Sequence, residues 1–432
     1  LPRSSIGPCW GAAAFSLTLL FSIVAEAEAG GERLWTERPL QAVEIEGLRR
    51  TQSVVVSREL RLGVGEVIEW PRIEADRLRL LDLGLFADVT LGVRRDPVAD
   101  APILTYRFQE RPTFVALPIF EYDPEDRFSY GLYFADRNFR GLDQSLTLSG
   151  ALGGRKSGRI GFGTPWFLGR RLGFGVGTFY SDRKKRTELI RERRKGVSVA
   201  LAPAWNYETQ LTVFLGVEEA TTRPLHPDEP NPPLRERDDH RWGSLRWSWD
   251  TRDYRARALS GHVVRLTATQ HGGPLGGTTD FRRYGVDLLQ VWSTGHGTAL
   301  TAATRTLMSE GSVPRFLRQN LGGVNNLRGF EQGEFGGESR WYGWVEERVP
   351  LLRKQKLSIW RGQKIDFTID ATAFVDVGTI WEGNDLLRGN AQGRWGAGGG
   401  LRVVAPWVDV FRLEAATNGT KFRVYAVGGV RL

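Results

Sequence analysis

From Thr113 onward the chain repeats one pattern: segments of about ten residues that alternate apolar and polar, separated by polar or glycine-rich breaks. Alternation of period two puts successive side chains on opposite faces of a strand. Sixteen such segments can be read, at about 113–122, 128–137, 143–152, 157–164, 171–180, 196–205, 208–218, 241–250, 261–270, 280–292, 297–307, 338–350, 366–378, 393–404, 407–417 and 420–431. A soluble two-sheet sandwich would alternate in the same way. Loop lengths favour a barrel instead. The long polar connections Ser181–Lys195, Glu219–His240, Met308–Gly337 and Thr379–Gln392 all follow odd-numbered segments, which is the long-outside, short-inside asymmetry of membrane barrels. One inside connection, Leu351–Lys364, is longer than that rule expects.

Beyond the N-terminus no run of 18–20 uncharged apolar residues occurs, so a helical membrane protein is excluded. The 52 Gly, 22 Phe and 15 Trp suit strands flanked by aromatic girdles. Residues 1–29 read as an export signal: Arg3, the apolar core Ala12–Val24, and an A-x-A site at Ala27–Ala29, with an overlapping one at Ala25–Ala27. Cys9 is the sole cysteine, so a chain cut after this signal has neither disulfides nor thiolate metal sites. The formal net charge of +9 raises nucleic acid as a partner. Arginine is scattered rather than clustered, however, and export argues against nucleic acid. The arginines are assigned to loops and lumen, and to anionic outer-membrane lipid.

After a linker at 30–39, residues 40–111 differ from the rest. A short strand at Gln41–Leu48 leads to Thr51, which is placed to cap a helix running to about Leu60. Pro71 opens a second helix with a broad apolar side, ended by Gly84. Strands at Ala87–Arg94 and Ile103–Glu110 complete a βααββ order. This order, with the phrases VEIEGLRRT, LLDLGLFADVTL and YRFQERP, resembles a single polypeptide-transport-associated (POTRA) domain. The resemblance implies a three-stranded sheet whose edge pairs with an extended client chain; Ala87, Asp88, Val89, Thr90 and Leu91 form the candidate edge.

Alternation also assigns faces within residues 112–432. In Asp366–Gly378 one face carries Phe367, Ile369, Ala371, Ala373, Val375 and Val377. The other carries Asp370, Thr372, Phe374, Asp376 and Gly378 and suits a wet lumen. In Arg340–Pro350 the lumen face holds Tyr342, Trp344, Glu346 and Arg348. Between these strands and the preceding ones lies a long loop containing LGGVNNLRGF, Leu321–Phe330.

Six phrases in order resemble the Omp85 superfamily of outer-membrane assembly factors and surface antigen D15-like proteins. They are GLYFADRNFRGLDQSLTLSG, TPWFLGRRLGFG, WDTRDYRARALSGHVVRL, LGGVNNLRGF, VEERVPL and FVDVGTIW. The fold implied is a transmembrane β-barrel of about sixteen antiparallel strands preceded by one small α/β POTRA domain. The resemblance also implies a loop-six lock. Arg328 is then gripped by Asp376 of the x–Asp–x–Gly motif ending at Gly378, with Glu346 as second partner, Gly329 as the tight turn and Phe330 beside the wall. At the seam, Pro118 in the first strand and Gly428 with Gly429 in the last weaken the closing edge.

Catalytic residues, metal ligands, nucleotide sites and cofactors are not expected. The five His lack ligand spacing and no nucleophile elbow is present. The expected role is to assist insertion, assembly or translocation of unfolded or nascent outer-membrane and secreted clients. The expected location is the outer membrane of a Gram-negative-type bacterium, with the POTRA domain in the periplasm and accessory periplasmic proteins as further partners. A two-partner-secretion translocator of one exoprotein and a passive channel are the alternatives.

Overall fold

The structure is a computed structural model that describes residues 38–123, 127–185, 189–226, 236–253, 257–358, 364–383, 385–405 and 408–428. The export signal, most of the linker and Gly429 lie outside the described residues.

The head contains β1 (Ala42–Glu46), α1 (Ser53–Ser57), α2 (Trp70–Asp82), β2 (Phe86–Arg95) and β3 (Pro102–Glu110). Its sheet has the order β1-β3-β2, with β1 parallel and β2 antiparallel to the central β3. Both helices lay their apolar stripe on one face of this sheet, burying Val55, Val56, Ile73 and Leu80 against Phe86, Leu104 and Tyr106. Pro71 sits in the first turn of α2, where no amide hydrogen is needed. The first helix is shorter than its sequence suggests, and Gln52 rather than Thr51 precedes it, with no side-chain cap. Thr51 is engaged elsewhere: its hydroxyl accepts a hydrogen bond from Asn138 Nδ2 at 2.9 Å. A contact across the junction has replaced a local cap.

The remaining chain forms one antiparallel sheet of sixteen strands. They are β4 (Phe114–Asp123), β5 (Arg127–Phe139), β6 (Gln144–Gly153), β7 (Lys156–Thr164), β8 (Leu172–Lys185), β9 (Ile190–Pro203), β10 (Thr209–Pro224) and β11 (Glu236–Asp250). Then come β12 (Gly261–Gly272), β13 (Asp280–Gly295), β14 (Thr298–Gly311) and, past the small hairpin β15 (Gln319–Leu321) and β16 (Phe335–Gly337), β17 (Ser339–Ser358). The chain closes with β18 (Lys364–Trp381), β19 (Arg394–Ala405), β20 (Val408–Thr417) and β21 (Phe422–Gly428).

Each strand pairs with its neighbours in sequence, β17 following β14. This is a transmembrane β-barrel fold, and its greasy surface points outward: Val197, Leu215, Leu245, Leu266 and Val375 are exposed. No described helix is long and apolar enough to cross a membrane.

Two expectations about loops are corrected. The described residues of Ser181–Lys195 and Glu219–His240 are largely strand, because β8 to β11 run on past the apolar band with charged residues. The long inside connection Leu351–Lys364 is also mostly ladder: β17 and β18 continue pairing as far as Ser358 and Lys364. Charged alternation looks like loop to an apolar pattern, yet the backbone ladder is satisfied regardless.

The head docks on the inside turns. Gln52 donates its amide to the Gly141 carbonyl at 2.8 Å. Arg50 pairs with Asp136, and Arg58 with Asp143 at 3.5 Å. Trp166 Nε1 donates to Glu59 Oε1 at 3.2 Å, and the Tyr207 hydroxyl to the Glu59 carbonyl at 3.3 Å. Guanidinium groups of Arg61, Arg79 and Arg171 lie 4.1, 4.3 and 3.7 Å from the Tyr207 ring centroid. Asp136 lies near the end of β5 and the other barrel partners occupy the connections after β5, β7 and β9, so the turns after the second, fourth and sixth barrel strands face the head.

Candidate functional site: a loop held inside the barrel

The loop between β14 and β17 turns back on itself before it reaches the wall. β15 and β16 pair as a short ladder, and Asn326 Oδ1 accepts from the amides of Gly322 and Leu327 at 2.8 and 2.7 Å. Such side-chain-to-backbone bonds are what Asn supplies in tight turns. Leu321 and Leu327 are fully buried against Tyr342, Trp344 and Ile380 of the wall, with Phe330 and Phe335 packed beside them. Phe330 also meets Phe335 edge-on at 5.3 Å.

At the tip Arg328 is fully buried. Its Nε and Nη2 donate to the two oxygens of Asp376 at 2.8 and 2.6 Å, and its own amide to Asp376 Oδ2 at 2.9 Å. Nη1 donates to Glu346 at 3.0 Å and lies 3.3 Å from Glu414. Phe374 forms the floor, its ring centroid 3.2 Å from the guanidinium carbon. Strand phase explains the convergence, since Glu346 on β17 and Phe374 and Asp376 on β18 share the inward face.

Two further arginines balance the acids. Arg402 pairs with Glu346 at 2.5 Å and Glu414 at 3.6 Å. Arg412 lies 3.7 Å from Glu414, and its Nη2 donates to Asn325 of the loop at 3.0 Å. Three cations thus meet three carboxylates in a dry site, where leaving one charge unpaired is costly.

Glycine makes the approach feasible. Gly329 has φ +96°, and an added Cβ would lie 2.9 Å from the Thr417 carbonyl carbon. A Cβ on Gly396 would sit 1.9 Å from the Arg328 carbonyl oxygen, and one on Gly378 3.3 Å from Leu321. The loop therefore rests directly on the backbone of β19. It is also tied to the last strand. The Tyr425 hydroxyl accepts from the Gly329 amide at 2.9 Å and donates to the Phe330 carbonyl at 2.8 Å, while Arg423 pairs with Glu331 at 2.7 Å.

Arg328, Gly329, Phe330, Glu346, Asp376 and Gly378 are thus brought together. Glu414, Arg402, Arg412, Tyr425 and Gly396 join them without having been singled out. Gly396 had a legible signal in the run GAGGG, since glycine inside a strand marks close approach of another backbone. Glu414 shares strand parity with Arg412, but nothing local says which strand each would meet.

A second clamp holds the inside turn between β11 and β12. Arg257 donates through Nε and Nη2 to both oxygens of Asp370 at 3.0 and 2.9 Å. Arg348 lies 3.6 Å from the same carboxylate and donates to the Ala258 carbonyl. Asp370 is on β18, six residues from Asp376 and on the same face, about 20 Å away along the strand.

The other predicted residues lie apart from this site. Ala87, Asp88, Val89, Thr90 and Leu91 belong to β2, an edge strand of the head sheet. Val89 is buried in the core, and its amide donates to Asp88 Oδ1 at 3.0 Å, so one backbone donor there is engaged locally. Pro118 sits on β4 opposite Leu132, and Gly428 on β21 opposite Phe411. These strands begin and end the sixteen-strand order, and among the described residues no ladder joins them. Among the described residues no group of three or more His, Cys, Asp or Glu has metal-binding geometry.

An inward-turned loop clamped by a buried arginine, inside a sixteen-strand barrel with a small α/β head on its inside turns, defines a class of outer-membrane barrel proteins. The chain belongs to the Omp85 superfamily, whose domain model matches residues 138–423. It is 23% identical over 306 residues to the outer membrane protein assembly factor BamA of Nitratidesulfovibrio vulgaris, covering 67% of this chain and 37% of that protein. The chain thus spans little more than a third of that curated relative. The fold is similar to BamA from Haemophilus ducreyi lacking POTRA domains 1–3 (TM-score 0.55, 16% identity, covering 91% of this chain and 84% of that one). It is also similar to CdiB from Escherichia coli (TM-score 0.57, 12% identity, covering 91% and 75%). The protein resides in the outer membrane.

Proposed function

We propose that this protein assists the insertion or assembly of other proteins at the outer membrane, without catalysing a covalent reaction. The observation that carries this reading is the clamped loop. A lumen occupied by a loop bound to β17, β18 and β21 is a poor open pore, whereas the same loop braces the wall next to the strands that end the sheet. Client strands would pair at the edges of β4 and β21, where Pro118 and Gly428 would weaken a closing ladder. The free energy would come from backbone hydrogen bonds and burial of the client's apolar face. The edge of β2, Ala87–Leu91, would offer an extended client a first pairing surface on the periplasmic side, where accessory proteins would also dock. No cofactor enters this scheme.

Depletion of the protein followed by quantification of the outer-membrane proteome tests the proposal. Loss of many barrel proteins is expected. Loss of one secreted protein alone would instead assign a dedicated translocator. An unchanged proteome, with loss of solute conductance, would assign a passive channel.

A further inference from the structure

Above the apolar band the outward face of the barrel is not uniform. On β9, Val197, Val199 and Leu201 are exposed outward, and the residues continuing that face beyond the band are Lys195, Arg193 and Arg191. On β10 the same face runs from Val213, Leu215 and Val217 to Glu219 and Arg223, and on β11 from Leu245 to Arg241, Asp239 and Arg237. Register sets them level: Lys195 pairs across to Glu219 and Glu219 to Asp239, while Val197 is opposite Val217 and Val217 opposite Arg241. All four strands from β8 to β11 turn at connections opposite the head, so this rim is at the outer leaflet.

The rim is basic beyond its own neutralisation. Among the described residues seven cations, Lys184, Arg191, Arg193, Lys195, Arg223, Arg237 and Arg241, share it with Asp182, Glu219 and Asp239. Asp182 takes both Arg191 and Arg193, at 2.7 and 3.2 Å, and Glu219 takes both Lys195 and Arg237, each at 3.2 Å. The paired cationic side chains stay between 41% and 73% exposed, so each keeps donors for another anion. Across the barrel, the equivalent level is aromatic: Trp395 on β19, Phe422 on β21, Phe120 on β4, and Phe128 and Tyr130 on β5.

We propose that the β8–β11 rim binds the phosphate groups of anionic lipid headgroups in the outer leaflet. Arginine forks match phosphate oxygens bidentately, and the apolar residues immediately below would hold the same lipid's acyl chains. The side carrying β4 and β21 has an aromatic rim instead, so anchoring is one-sided.

The test uses the full chain in detergent, with diphosphorylated lipid A as probe and retention read by native mass spectrometry. The triple variant R193E/K195E/R237E should bind at least tenfold more weakly than wild type. Arg388→Glu, an exposed cation in the loop between β18 and β19, should bind as wild type does. Lipid A stripped of its phosphates should bind wild type as weakly as the intact lipid binds the triple variant. Binding of the heat-modifiable, folded triple variant within twofold of wild type would overturn the proposal. So would equal retention of the phosphate-free lipid, or complete competition by equimolar inorganic phosphate, which would indicate a free-anion site. Should the triple variant fail to fold, Arg237→Gln alone should weaken retention at least threefold, and no change there would overturn the proposal equally.

Discussion

Two arginines reach strand β18 from opposite ends of the barrel and do so on different terms. Arg328, from the outer loop, is fully buried, bonds Asp376 through side chain and backbone, and has Glu346 and Glu414 within 3.3 Å. Arg257, from the inside turn, keeps 20% of its side chain exposed and grips Asp370 alone, a carboxylate it shares with Arg348. The outer clamp is a closed charge network, in which removing one member strands the others in a dry site. The inner one is a single bidentate pair at the edge of water, with a spare cation nearby. Buried ionic groups specify geometry through the penalty for breaking them more than through net stabilisation. The outer loop should therefore be either seated or fully released, while the inside turn should loosen gradually.

The sharpest way to break this contrast is Arg328→Ala, which takes from Asp376 its bidentate partner and from Glu414 its nearest cation and should cost about 3–5 kcal/mol. Thermal loss of heat-modifiable mobility would record it as the largest drop in the series. Arg257→Ala should cost about 1–3 kcal/mol, because Arg348 remains beside Asp370. Equal losses in the two variants would erase the distinction. Tyr425→Phe removes the hydroxyl that bridges Gly329 and Phe330 to the last strand, at about 1 kcal/mol. Protease cutting within residues 322–338 should quicken in that variant while the melting profile barely moves.

The smallest effect lies at the junction of head and barrel. Burial pushes the Asp143 carboxyl up to about 7, against the pull of Arg58 and with Glu59 adding to the rise. The folded value is raised, so this contribution is fully present below the unfolded value of about 4 and is lost as pH rises through about 7. Protection of the α1 amides, with exchange corrected for its base-catalysed intrinsic rate, should therefore be lower at pH 8 than at pH 6, and Asp143→Asn should remove that difference in protection.

Much of this arrangement was legible in the residues. Period-two alternation placed Glu346, Phe374 and Asp376 on one wet face, and the LGGVNNLRGF phrase supplied the cation that such a face requires. Sixteen segments were readable because lipid enforces an apolar outer face on every strand. Strand ends were misjudged where that enforcement stops: the charged continuations of β8 to β11 read as loop, although their ladders are complete. Arg257 was invisible for a different reason. Asp370 was placed inward by phase, but its partner comes from a turn several strands away, and only the curvature of the sheet brings the two together. The same holds for Glu414 with Arg328, while Thr51 meets Asn138 only because the head docks on the barrel. Local pattern fixes which way a side chain points, while long-range register decides whom it meets.

The central claim is that Arg328 and Asp376 act as one unit that seats the loop. A double-mutant cycle with Arg328→Ala and Asp376→Asn, read by thermal unfolding of the full chain, tests it directly. The account predicts a double variant hardly less stable than Arg328→Ala alone, with a coupling of about 2 kcal/mol or more. Additive losses, agreeing within about 0.5 kcal/mol, would contradict it.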